Sequence, residues 1–383
     1  MITKIQDDVG NALTLVRGAR QLLTLRGPAG PRRGAALGEL GIIPDGALLI
    51  RGGKILEAGP SRRVENLALA RGAHEINAAG RVVMPGFVDS QTQPVFTPAL
   101  PSRALAVRVR SLLAGMVRQG TTTLASGPNP QQDQADARKL LRILAELDGH
   151  PLGIVPVCYA STETMCTDVL PVLARRKLAR IVSVSAEALE PAAARRILEC
   201  ARQLGFGIAV QAGASAAAAR LGVEMEAASV SVDPVETGPA GDLASSGGIA
   251  VLLPAAAYPR RLHRHLSART FIDAGAAVAL ASGFGGEHGP TYNMQMAVSV
   301  ACSEMGFSPA EAICAATVNG AYALALGHRC GSLEPGRAAD LLLLNVTDYR
   351  EVPEQVGINH VHMVLKNGRV VYQEGEVTGW TSQ

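Results

Sequence analysis

Gln91 and Gln93 stand two residues apart on a predicted strand, the spacing at which side chains share a face and two donors can hold one ion. Zinc and its relatives take imidazole nitrogen, thiolate or carboxylate, whereas a neutral glutamine amide offers only a weak carbonyl oxygen. The pair therefore reads as two polar side chains satisfying each other's hydrogen bonds. Glu187 and Asp233, carboxylates at the ends of two other predicted strands, could form an acid/base pair. Pairing of each with an arginine or a backbone amide is the commoner arrangement and weighs more. His263-Arg264-His265 could be a histidine clasp for a metal, but in a loop or helix start residues i and i+2 do not face one way, so solvated side chains are the stronger reading. His288, beside Glu287, reads the same way. Ser126, Ser185 and Ser282 have no histidine in an equivalent position, which leaves no serine nucleophile with its base.

The elements that must position these residues are strands alternating with helical patterns. Eight apolar runs read as strands: Val82-Val88, Thr121-Ala125, Gly153-Tyr159, Arg180-Ser185, Gly207-Gln211, Ser229-Asp233, Ile249-Pro254 and Ala277-Ser282. Helices intervene, such as Pro191 to Leu204 closed by Gly205, and one from Ser308 whose Ser308-Pro309-Ala310-Glu311 start combines an N-cap serine, an N1 proline and an N3 glutamate. Eight βα units predict an α/β fold, a (β/α)8 TIM barrel over residues 81–335, with the candidate residues at its strand ends. Residues 1–80 and 336–383 are rich in short β runs, including a hairpin over Ala47 to Gly59 and another turning at Asn367-Gly368. They predict one small β-sandwich domain built from both chain ends.

Composition narrows the function classes. The chain has 383 residues, 48% of them hydrophobic, enough for a large barrel and a smaller domain. Lys+Arg 36 against Asp+Glu 33 gives +3 with the signs interspersed, which argues against a nucleic-acid partner. No apolar run approaches a membrane span and the start lacks a signal-peptide core, so a cytoplasmic protein with no membrane partner is expected. The six cysteines (Cys158, Cys166, Cys200, Cys302, Cys314, Cys330) form no Cys-x-x-Cys pair and read as buried reduced thiols.

The segment Met84-Pro85-Gly86-Phe87-Val88-Asp89-Ser90-Gln91-Thr92-Gln93 resembles the first barrel strand of the amidohydrolase superfamily, where two histidines occupy the places of Gln91 and Gln93. Ala316-Thr317-Val318-Asn319-Gly320-Ala321-Tyr322, Gly331-Ser332-Leu333-Glu334-Pro335-Gly336-Arg337-Ala338-Ala339-Asp340 and Ala268-Arg269-Thr270-Phe271-Ile272-Asp273-Ala274-Gly275 are similar to strings of imidazolonepropionases. The resemblance runs from about Ile42 onward. It implies a single bound zinc or iron ion and a metal-held water that opens the ring of a histidine breakdown product. It also implies that five metal-site positions have changed: Gln91, Gln93, Gln211 where strand five carries histidine, Pro234 where strand six carries histidine, and Gly283 where strand eight carries aspartate. Ala125-Ser126-Gly127-Pro128 replaces a substrate-holding Lys-Ser-Gly-Tyr segment. Without those ligands no cofactor is expected, and the chain is expected to be a non-catalytic homodimer holding a small molecule in the barrel mouth. The alternative is a hydrolase of carbon-nitrogen bonds in cyclic amides with a displaced or absent metal, using Glu187, Asp233, His263, His265 or His288.

Overall fold

The computed structural model describes residues 12–94, 100–129, 134–149, 151–186, 188–232, 239–257, 268–285, 289–374 and 376–377. Eight parallel strands, Phe87–Thr92, Thr121–Ser126, Gly153–Ala160, Ile181–Ser185, Gly207–Gly213, Ser229–Val232, Ile249–Leu252 and Ala277–Leu280, follow one another in a single sheet. Each pairs in parallel with its neighbour in sequence. The last strand turns back on the first through its exit loop: Gly283 N donates to Gln91 O at 3.1 Å and Gln93 N to Phe284 O at 2.8 Å. The fold is thus the expected α/β barrel, nearly closed.

Helices cover the outside because their apolar residues recur at helical spacing. Ser102–Arg118 buries Leu105, Val109, Leu113, Met116 and Val117, one stripe that packs on the strands. The helix Pro191–Gln203 ends as expected, with Gly205 at φ +83° and Phe206 N bonding back to Ala201 O. The helix Pro309–Cys314 has the full capping box, Ser308 Oγ accepting from Glu311 N while Glu311 returns to Ser308 N. It runs on into a π-helical turn, Ala315–Asn319, where the buried Asn319 side chain holds Arg32 N, Arg32 O and Val278 O. No described helix is long and apolar enough to cross a membrane.

Both chain ends build a second, nine-stranded sheet. Leu13–Leu23, Ile42–Arg51, Lys54–Pro60, His74–Asn77 and Val82–Pro85 come from the first end, and Leu341–Leu344, Val361–Lys366, Arg369–Gln373 and Glu376–Val377 from the last. As expected, the two ends make one small β domain: the strands are joined by hydrogen bonds into a single sheet, and residues of both halves, among them Leu48, Ile55, Leu341 and Met363, share one core. The Asn367-Gly368 turn has φ +47° and +72°, the pair of left-handed residues a two-residue hairpin requires.

Several boundaries moved. The expected strand Val82-Val88 is two strands: Val82–Pro85 sits in the small sheet between Leu13–Leu23 and Leu341–Leu344, and Phe87–Thr92 opens the barrel. The crossing is Gly86, whose N–H bonds Asp340 O while Phe87 N bonds Gly120 O. Periodicity could not find it, since the residues that flank it, Val82 to Pro85 and Phe87 to Val88, are buried and apolar on both sides. The seventh strand stops at Leu252, and Pro254–Ala257 turns as a 3-10 helix.

Candidate site at the barrel mouth

The first barrel strand delivers Asp89, Gln91 and Gln93 to the carboxyl end of the barrel, the face on which such barrels carry their sites. Asp89 is buried, and it joins this strand to the exit of the eighth: Oδ1 accepts Ser282 N at 3.0 Å and Gln91 N at 3.4 Å, and Oδ2 accepts the Ser282 hydroxyl. Ser282 Oγ in turn accepts Phe284 N at 3.1 Å. Burial pushes the Asp89 carboxyl up to about 6, against the pull of these hydrogen bonds. The sequence marks it only as the aspartate of the first-strand segment that resembles the amidohydrolase pattern.

Gln93 does not pair with Gln91 as expected. Its side chain hydrogen-bonds the Tyr159 hydroxyl, which also donates to Thr92 O at 3.2 Å. Burial first, and then the nearby Asp89 charge, raise the Tyr159 hydroxyl well above its ordinary range. Tyr159 is therefore a neutral donor. Gln91 lines a cavity of about 20 Å³ on the barrel axis together with Ser90, Ser183, Ser229 and Ser231. That volume holds about one water molecule. Ser90 Oγ is buried here with no partner among the described residues, as is Gln211 Nε2 at the end of strand five. This serine layer was not foreseen, because the serines come from three different strands and only closure of the barrel gathers them.

Gly283 lies past the end of the eighth strand with φ +63°, and a Cβ there would meet the Leu253 side chain at 3.3 Å. Glu187, Asp233, Pro234, His263, His265 and His288 lie outside the described residues. Among the described residues no group of three or more His, Cys, Asp or Glu could hold a metal ion. A larger cavity of about 210 Å³ opens beside Tyr159, walled by Asn129, Arg138, Ser161, Thr162 and Met165 from the segments after strands two and three.

A family model, the amidohydrolase family, matches residues 259–371. An imidazolonepropionase of Chloroflexus aggregans is 32% identical over 93% of this chain and 98% of its own length. One from Solibacter usitatus is 34% identical, covering 92% and 97%. Among solved structures, an adenosine deaminase from Xanthomonas campestris with bound zinc superposes with TM-score 0.71 at 15% identity, over 96% of this chain and 94% of that one. An amidohydrolase from a Sargasso Sea sample gives 0.71 at 19% identity over the same shares.

Proposed function

Since the chain belongs to the imidazolonepropionase family of amidohydrolases, we propose that it keeps the barrel and a ligand-holding mouth but performs no metal-dependent hydrolysis, serving as a ligand-binding or regulatory member. The donor set carries this proposal. The described positions at the ends of strands one, five and eight supply three neutral amides, Gln91, Gln93 and Gln211, and one glycine, Gly283. A zinc or iron site needs about three or four imidazole, thiolate or carboxylate ligands, so these residues do not fit the metal that the resemblance implies. The buried carboxylate nearest to them, Asp89, spends its oxygens on Ser282 and Gln91 N–H. A bound metal brings a water's pKa to about 7, and neither an amide nor a neutral tyrosine does so.

Gln91 and Gln93 remain hydrogen-bonding groups at the mouth, and the 210 Å³ cavity beside Tyr159 has room for a small polar molecule. The family also makes a cytoplasmic homodimer the expected form. The experiment is elemental analysis of protein produced with zinc, iron and manganese in excess, paired with an assay on imidazolonepropionate. Far less than one ion per chain and no turnover above the uncatalysed rate are expected. A stoichiometric ion overturns the proposal.

The relatives' names favour a second reading, hydrolysis of a cyclic amide with a displaced or absent metal. It needs a water-activating group among Glu187, Asp233, His263, His265 and His288. Turnover that is lost in a variant of one of these five would select it, surviving chelation where the metal is absent and failing under chelation where it is displaced.

A further inference from the structure

Two of the six cysteines lie against each other although 33 residues separate them in the chain. Cys200, on the helix Pro191–Gln203, donates its thiol to Cys166 O at 3.7 Å, and its side chain is in hydrogen-bonding contact with that of Cys166 on the short helix Met165–Asp168. Both are partly exposed, whereas Cys158, Cys314 and Cys330 are buried. One turn away the same two segments are clamped a second time: Arg196 Nε and Nη2 reach Glu163 Oε1 and Oε2 at 2.6 and 2.8 Å. Arg196 precedes Cys200 by four residues and Glu163 precedes Cys166 by three, so the ion pair sets the register that brings the sulfurs together. Being exposed, it positions more than it stabilises.

We propose that Cys166 and Cys200 form a reversible redox site, closed to an intrachain disulfide by a low-molecular-weight disulfide of the oxidised-glutathione type. One protein thiolate attacks the small disulfide, forming a mixed disulfide and releasing one small thiol. The second protein thiolate attacks the protein sulfur of that mixed disulfide, forming the Cys166–Cys200 bond and expelling the second small thiol. Two protein thiols are oxidised, one small disulfide is reduced to two thiols, and the two protons pass to solvent or to the expelled thiolates. In a reducing compartment such a bond is transient, which suits a sensor more than a staple. Burial, Cys200 and Glu163 push the Cys166 thiol up to about 11, against Arg196, so exchange is slow. The bond would also fix one wall of the 210 Å³ cavity, because Met165, Val169 and Leu173 line it from the adjoining helices.

The test uses the full chain incubated with oxidised glutathione, then denatured and titrated for free thiols. Four of the six should remain, with a mass loss of about 2 Da, a peptide joining Cys166 to Cys200, and full reversal by dithiothreitol. Cys200→Ser and Cys166→Ser should each give only a glutathione adduct or no reaction. Amide hydrogen exchange over residues 161–176 should slow several-fold in the oxidised wild type and not in either variant. Six free thiols after long incubation, a persistent glutathione adduct on the wild type, or a bond to another cysteine overturns the site; unchanged exchange in the bonded protein overturns its effect on the cavity wall. None of these results depends on whether the barrel mouth binds metal.

Discussion

The Asp89 carboxylate accepts both the backbone N–H and the hydroxyl of Ser282, 193 positions further along the chain, and so locks the first barrel strand to the exit of the last. The same carboxylate is held away from water, and that sets a pH signature. Its pKa in the fold is about 6 against 3.8 in the unfolded chain. The group's favourable contribution is therefore complete below pH 3.8 and fades as pH rises to about 6.

Asp89→Asn should remove that stretch of the pH profile. Comparing urea unfolding of wild type and variant from pH 4 to 7, the variant should gain relative stability between about 4 and 6, by on the order of 3 kcal/mol for a shift of two units. Parallel curves would mean that the carboxyl titrates normally.

A second buried charge lies between the barrel and the small sheet, where Lys366 Nζ meets Asp340 Oδ2 at 2.7 Å with both side chains almost fully covered. Lys366→Met should cost about 3–5 kcal/mol because it strands a buried carboxylate. Adding Asp340→Leu should recover much of this, less the bond from Asn367 N to Asp340 Oδ1. Equal losses in single and double variants would refute the explanation.

At the capping box, Ser308→Ala should cost about 1 kcal/mol and Ser308→Gly only a few tenths. Denaturation midpoints of the two variants separate loss of the cap from loss of side-chain packing.

Building the metal site that the resemblance implies is the most demanding test. Gln91→His, Gln93→His, Gln211→His and Pro234→His together should bind zinc in equilibrium dialysis, and any one alone should not. A folded but metal-free fourfold variant would show that the strand ends no longer converge. Gly283→Asp should add little, since a side chain at φ +63° costs about 1–3 kcal/mol and its Cβ would press on Leu253.

The barrel was legible because seven of its eight apolar runs survive as strands with errors of one to a few residues at their ends, while only Phe87 and Val88 of the first run, Val82-Val88, belong to the barrel. Gln91 and Gln93 were singled out by strand alternation together with the resemblance of the first-strand segment. Asp89 was not, because what distinguishes it is Ser282, and no local pattern reveals a partner so far away. Gly283 stood out as a place where the resemblance implies a carboxylate, and its left-handed backbone was not read from the sequence. Asn319 stood out only through its resemblance string, and its physical role as a buried clamp on Arg32 and Val278 needed coordinates.

Gly86 alone separates a strand of the small sheet from the first strand of the barrel, and this governs when the protein can finish folding. Val82–Pro85 needs Leu341–Leu344 on its open side, so it waits for a partner made about 250 residues later. During synthesis it stays an uncovered edge beside the nascent barrel. Closure of so long a loop is a slow, late event. A chain truncated before Leu341 should therefore be an aggregating fragment and not an independent barrel.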